Sequence, residues 1–322
     1  MDQDFATEAD TDWFDASADQ VVDLSYFTKK VRTNVVATDA EHLASMINEV
    51  RILASGTLRQ RHNILGLFAL SWQERSDHGR HWPQLLMQKA ELGTLDSYIR
   101  SSPRNLQTKL MVSLDVLHEL DALHDHGVTH CDVKPQNTLI FADEQRSADP
   151  TLTSQARVAA VRAKLCDFGF SVIHSDYEST STCRAGIGTY PWMAPEMEAC
   201  TTVELEHLHS IDTYSFALTL ASVPTNGRTP LIELDRQFLT SIKSAQSGDL
   251  TAAKQLENEL NTHGDLTPLQ MTYIANVLEG ALATQPVNRQ DLQTIYPFLT
   301  TLFSLTVAHS GYYIVDHDTS TP

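Results

Sequence analysis

Glycine is missing from the start of this chain. All 13 glycines lie at or after Gly56, so the first 55 residues contain none. That excludes a glycine-rich anion-cradling loop there, because only glycine lets successive backbone N–H groups close around a phosphate without a side-chain clash. Positive charge is also short. With 23 Lys and Arg against 41 Asp and Glu, the formal charge is −18, which excludes a non-specific binder of nucleic acid or of anionic membrane. No apolar run approaches the roughly 18–20 residues that span a bilayer. Met1 opens an acidic segment rather than the basic n-region of a secretory signal. The four cysteines, Cys131, Cys166, Cys183 and Cys200, suit reduced thiols better than a disulfide framework. The location these features lead one to expect is intracellular, in the cytoplasm.

What is present describes a globular enzyme-sized chain. It has 322 residues, of which 42% are hydrophobic, enough for a substantial core and inconsistent with general disorder. Met1 to Gln20 holds seven acidic residues and no basic one. It reads as a disordered tail, or alternatively as a degenerate first hairpin with Phe14 and Val21-Val22 as strand residues. Tyr26-Phe27-Thr28-Lys29-Lys30-Val31 reads as a short strand. Thr38-Asp39-Ala40-Glu41 has capping-box spacing and opens a helix whose apolar stripe is Leu43, Met46, Ile47, Val50 and Leu53, with Gly56 past its end. A long helix from Leu106 to His126 lines up Leu106, Leu110, Leu114, Leu117 and Leu120. Ile211 to Val223 is nearly all apolar, as a buried helix should be. Thr267-Pro268 is a cap followed by a first-turn proline, starting a helix to about Leu282. Residues 228–266 read as an insertion rich in polar helix formers, and the chain from about His309 as a polar tail.

The most specific signal is His130-Cys131-Asp132-Val133-Lys134-Pro135-Gln136-Asn137. It resembles the catalytic loop of eukaryotic-type protein kinases, H-x-D-x-K-P-x-N, in which one short loop carries a carboxylate, a lysine and an amide for in-line phosphoryl transfer. Its companions follow in order. Asp167-Phe168-Gly169 resembles the D-F-G segment, and Gly188-Thr189 through Ala194-Pro195-Glu196 closes an activation segment with A-P-E. Asp212 opens the buried helix beneath the catalytic loop. Arg289 stands where the family pairs an arginine with the glutamate of A-P-E, here Glu196. Leu123-His124-Asp125-His126-Gly127-Val128 matches the junction leading into the loop.

Ahead of this the resemblance is thinner. The Tyr26–Val31 strand is similar to the family's third strand, which makes Lys29 the better candidate for the phosphate-binding lysine, with Lys30 one residue away on the opposite face. Glu49 falls where the ion-pair glutamate is expected. Arg61-His62-Asn63-Ile64-Leu65 resembles the entry to the fourth strand, and Pro83 to Met87 the fifth. On that alignment Met87 is the gatekeeper and Gln88 to Gly93 the hinge.

The resemblance implies an α+β, bilobal fold, with a small, truncated, mainly β N-lobe carrying one helix and a large, mainly α C-lobe. The expected layout is an acidic tail over 1–20, a kinase-like domain over 21–309 (N-lobe 21–88, hinge 88–93, C-lobe 94–309) and a polar tail over 310–322. It implies a Ser/Thr protein kinase that moves the γ-phosphoryl of ATP, with Mg2+, to a protein substrate. Asp132, Lys134 and Thr189 are the expected catalytic residues. Lys29, Glu49, Met87, Asn137 and Asp167 would bind the nucleotide, with Asn137 and Asp167 holding the metal. Asp212 and the Glu196–Arg289 pair would be structural, and His130 and Phe168 would pack in a column with Leu53. The alternative is a pseudokinase that serves as a binding or regulatory scaffold, since the glycine-rich loop is missing. Cys131 replaces the family arginine that reads a phosphorylated activation loop, so Ser179 to Thr182 reads as an exposed polar loop rather than a switch. His124, His126, His130 and Cys131 belong to the loop motif and not to a zinc site.

Overall fold

The computed structural model describes residues 26–30, 39–74, 81–101, 105–147, 160–177, 179–184, 188–228, 251–263 and 266–309. The acidic segment 1–20, the Thr38 cap, most of the 228–266 insertion and the tail 310–322 therefore lie outside the described residues.

The N-terminal part is a three-stranded antiparallel sheet in the order β1-β3-β2, formed by β1 (Tyr26–Lys30), β2 (Leu67–Glu74) and β3 (His81–Gln88). Register pairs Phe27 with Met87 and Lys29 with Leu85, so these four side chains share one face of the sheet. The fifth-strand expectation of Pro83 to Met87 is the middle of β3, which begins two residues earlier. Helix α1 (Asp39–Leu53) carries Glu49. Of its expected apolar stripe, Met46 and Leu53 are buried and Val50 is packed against the core, but Leu43 and Ile47 are exposed. The buried edge runs instead through Met46, Glu49, Ile52 and Leu53.

The C-terminal part is mainly helical, with α2 (Leu95–Ser101), α3 (Leu106–Asp125), α4 (Glu144–Ser147), α5 (Pro195–Glu198), α6 (Ser210–Ser222), α7 (Thr251–His263), α8 (Pro268–Ala281) and α9 (Leu292–His309). Asn105 caps α3 by accepting the Thr108 N–H at 2.8 Å. Thr267 and Gln270 form a full capping box on α8, of which only the cap and the proline were legible in advance. Helix α6 is buried all round and packs at the centre of the lobe.

Three short antiparallel pairs are set among these helices: β4 (Val128–Thr129) with β7 (Val172–Ile173), β5 (Thr138–Ala142) with β6 (Val161–Leu165), and β8 (Thr182–Arg184) with β9 (Thr202–Glu204). Their register builds the site. Pairing of Thr138 with Leu165 sets Asn137 beside Cys166 and Asp167, and the Cys166 N–H donates to the Asn137 carbonyl at 2.9 Å. Pairing of Thr129 with Val172 sets His130 beside Ser171, whose hydroxyl donates to the His130 carbonyl at 3.1 Å.

Helix α3 holds two buried carboxylates one turn apart, with different fates. Asp115 accepts from the Arg146 guanidinium at 2.5 and 2.7 Å and from the Ala163 N–H at 2.9 Å. Glu119 is as deeply buried, yet neither of its oxygens has a hydrogen-bond partner. Burial pushes its pKa well up, with Asp115 adding to the rise, and Lys164 and Arg61 offset only part of it. An acid with a raised folded-state pKa contributes fully below its unfolded value near 4.5 and loses that contribution as pH rises towards the folded value. Glu119→Leu is therefore expected to stabilise the protein by about 1–3 kcal/mol at pH 8, the cost of one unsatisfied buried group. The gain should be smaller at pH 5. Melting temperatures of both proteins at the two pH values check it, and a variant less stable at pH 8 refutes it.

Candidate active site

The site lies where the Lys29 face of the sheet meets the loops after β4 and β6. Lys29 Nζ donates to Glu49 Oε2 at 2.7 Å and to Asp167 Oδ1 at 2.8 Å. Glu49 is buried, whereas Lys29 keeps 27% of its side chain exposed. Burial alone would lower the Lys29 pKa, but the two carboxylates outweigh it and hold the ammonium well above the ordinary lysine value. Glu49 is pushed upward by burial, against the pull of Lys29. Lys29 is thus the lysine brought to the site.

Asp132, Lys134, Asn137 and Thr189 converge on the other wall. Lys134 Nζ donates to Asp132 Oδ2 at 2.7 Å and to Thr189 Oγ1 at 2.5 Å. Asn137 Nδ2 donates to Asp132 Oδ2 at 2.7 Å and to its backbone carbonyl at 2.9 Å. Thr189 meets Asp132 through Lys134 rather than directly. After these contacts Asp132 Oδ1 and Asn137 Oδ1 remain buried with no hydrogen-bond partner. Two orphaned buried oxygens are costly unless a ligand meets them.

The loop itself is pinned from below. Asp212, at the start of α6, accepts the His130 N–H at 2.7 Å and the Cys131 N–H at 2.8 Å, and pairs with His124 Nε2 at 2.9 Å. Burial would raise its pKa, but the His124 hydrogen bond, the neighbouring imidazoles and the His130 amide hold it below the usual carboxylate value. Cys131 and Asp167 both adopt left-handed backbone, at φ 66° and 67°. Non-glycine residues rarely do so unless their surroundings impose it, and such strain clusters at functional loops. Burial also pushes the Cys131 and Cys166 thiols up, so both are protonated and unreactive.

Other expected placements can be read directly. Met87 is buried at the end of β3, and the rings of His130 and Phe168, both fully buried, lie 5.0 Å apart. Ser179, Thr180 and Ser181 are exposed. Among the described residues the one metal-like cluster is Glu204, Glu206 and His207, on the surface and away from the loop motif. A cavity of about 340 Å³ lined by His124, His209 and Arg289 contains none of the convergent polar residues. His209 there stacks between His124 and His174, with centroids at 4.1 and 4.4 Å; burial and both neighbours lower its pKa to about 3. Sequence reasoning passed over that stack and also Asn48, whose amide donates to the Phe168 and Ser171 carbonyls at 3.1 and 2.6 Å. No sequence signal marks Asn48, since both its acceptors are backbone atoms.

The donor set suits ATP and Mg2+. Asn137 Oδ1 and the Asp167 carboxylate are hard oxygen ligands of the kind Mg2+ takes, and the Asn137 amide commits its nitrogen to Asp132 while its oxygen has no partner. Lys29, positive and partly exposed, suits a phosphate.

Comparison with known proteins gives the following matches. The family model described as protein kinase domain matches residues 20–296. The chain is 32% identical over 147 residues to the serine/threonine/tyrosine-protein kinase HT1 of Arabidopsis thaliana, a match covering 43% of this chain and 32% of that protein. It is 27% identical over 144 residues to mitogen-activated protein kinase kinase 8 of the same plant, covering 43% of this chain and 40% of the relative. It is 27% identical over 187 residues to the serine/threonine-protein kinase unc-51 of Caenorhabditis elegans, covering 58% and 20% respectively. The chain thus spans less than half the length of each of these relatives. Among the described residues no helix is long and apolar enough to cross a membrane.

Proposed function

Because this chain belongs to the protein kinase domain family, we propose that it transfers the γ-phosphoryl group of ATP to a serine or threonine hydroxyl of a protein substrate. The observation that carries the reading is the pair of buried, partnerless oxygens, Asp132 Oδ1 and Asn137 Oδ1, on residues whose other polar atoms are held fast. Asp132 Oδ1 orients the substrate hydroxyl and takes its proton. Lys134, held by Asp132 and Thr189, offsets charge on the phosphoryl group in transit. Lys29, steered by Glu49, anchors the phosphates, and Met87 borders the adenine. Asn137 and Asp167 would hold Mg2+, which when bound neutralises phosphate charge. Residues 21–309 act as one catalytic domain, with the hinge at 88–93.

One observation favours a scaffold instead: no glycine precedes Gly56. Losing a glycine-rich loop removes several backbone hydrogen bonds to phosphate, each worth roughly 0.5–3 kcal/mol. Since about 1.4 kcal/mol is tenfold in rate, such a loss slows transfer without abolishing it. The deciding experiment is a thermal shift with ATP, with and without Mg2+, on wild type and Asp167→Ala. The expected result is a Mg2+-dependent rise in melting temperature, about 2–4 kcal/mol of stabilisation at 100- to 1,000-fold Kd, that the variant loses. No shift at millimolar ATP would replace the enzyme reading with the scaffold.

A further inference from the structure

We propose that Asn48 is a positioning residue that locks helix α1 to the turn after Asp167, and so keeps Lys29 and Glu49 engaged without a phosphorylated activation segment. The catalytic consequence rests on the phosphotransfer reading above; the contact itself does not.

A primary amide has two N–H donors. Asn48 commits them to the Phe168 and Ser171 carbonyls, which bracket the turn over Phe168–Phe170. That turn follows directly from Asp167, whose left-handed backbone needs support from outside its own sequence. Alanine or aspartate at position 48 would have no side-chain N–H to give, and aspartate would set a carboxylate against two carbonyl oxygens. Glu49 is the next residue on the helix, so a rotation of α1 that frees Glu49 from Lys29 must also pull Asn48 off the turn.

Two further contacts lie on the same edge of α1, three residues to either side of Asn48. A Cβ added at Gly169 would collide with Ser45. Arg51 forms a two-pronged pair with Asp176 at 2.7 and 2.8 Å. That pair is solvent-exposed on both sides and therefore screened, so it contributes little by itself. The partly buried Asn48 bonds carry the lock.

The need for such a lock follows from Cys131. It occupies the family arginine's place but is buried and uncharged, so it cannot hold a phosphate. Helix α1 also lacks a broad apolar seat, since Leu43 and Ile47 are exposed. Met46, Ile52 and Leu53 seat the helix on the core, and the polar contacts of Asn48 fix it against the turn.

The test uses the nucleotide-free full chain as wild type, Asn48→Ala, Asn48→Asp and Arg51→Ala. Hydrogen–deuterium exchange of residues 166–173 and acylation of Lys29 by an activated ester are followed by mass spectrometry. Both Asn48 variants are expected to raise each rate about tenfold. Melting should stay near wild type for Asn48→Ala, because alanine is the better helix former. Arg51→Ala should change either rate less than about twofold. In the assay with ATP, the Asn48 variants should lose about tenfold in kcat. Phosphatase treatment should leave the wild-type rate unchanged. Unaltered exchange and Lys29 acylation in Asn48→Ala would overturn the proposal, as would a wild type that needs phosphorylation to be active. Should wild type transfer no phosphate at all, the kinase reading falls, while exchange and acylation still decide the role of Asn48.

Discussion

Asp132→Ala should lower phosphoryl transfer by about 10²–10⁴-fold, the range over which a positioned general base contributes. The KM for ATP should move less than kcat, because the side chain bonds Lys134 and Asn137 but not Lys29, Glu49 or Asp167. The geometry explains the specificity of the effect. Oδ2 is occupied twice, by Lys134 Nζ and by Asn137 Nδ2, which leaves Oδ1 as the atom available to a hydroxyl. Asp132→Asn is the sharper version. It keeps the shape, but whichever way the amide lies it cannot serve as a base. A steady-state assay with a generic Ser/Thr-bearing protein measures both variants against wild type. Retention of more than about a tenth of the rate in both would remove Asp132 from the chemistry, since a tenfold change is only about 1.4 kcal/mol.

Glu196→Ala should cost about 3–5 kcal/mol of stability, the usual penalty for stripping one partner from a buried ion pair. Melting should fall by roughly 5–15 °C. Arg289 meets Glu196 through both terminal nitrogens, at 2.5 and 2.7 Å, and also donates to the carbonyls of Ala283, Thr284 and Ser210. Its guanidinium lies 4.9 Å from the Tyr214 ring centroid, and its side chain is fully buried. Without Glu196 that cation stays buried with carbonyl dipoles alone. The double variant Glu196→Met/Arg289→Met should lose less than the sum of the singles, because no charge is then stranded. Denaturant titration of the four proteins tests this. Single variants within about 1 kcal/mol of wild type would mean that the pair acts as a surface bridge.

Several elements of this protein were legible in its residues and others were not, for identifiable reasons. The loop His130–Asn137, the Asp167–Gly169 segment and the Ala194–Glu196 closure are short motifs in which chemistry dictates residue type at fixed spacing, so they announce themselves. Helices α3 and α6 followed from leucine spacing and from near-continuous apolar character. The stripe on α1 misled in part: Leu43 and Ile47 have the right period but face solvent, because what covers a helix is a property of its neighbours. Glu119 has no sequence signature at all, since an unpartnered carboxylate looks like any other until burial is known.

The amino-acid sequence by itself determined the family, the order of the lobes and the identity of the residues that carry charge and hydrogen-bonding capacity. Those are one-dimensional properties, set by residue type and separation along the chain. Only the tertiary structure decided that Lys29 meets both Glu49 and Asp167, because strand direction and cross-strand register choose the face. It alone decided that Asn48 grips the turn after Asp167, and that one buried oxygen each of Asp132 and Asn137 has no hydrogen-bond partner. Those contacts join residues far apart in sequence, several of them through backbone carbonyls that every residue possesses, so no pattern of side chains could foretell them.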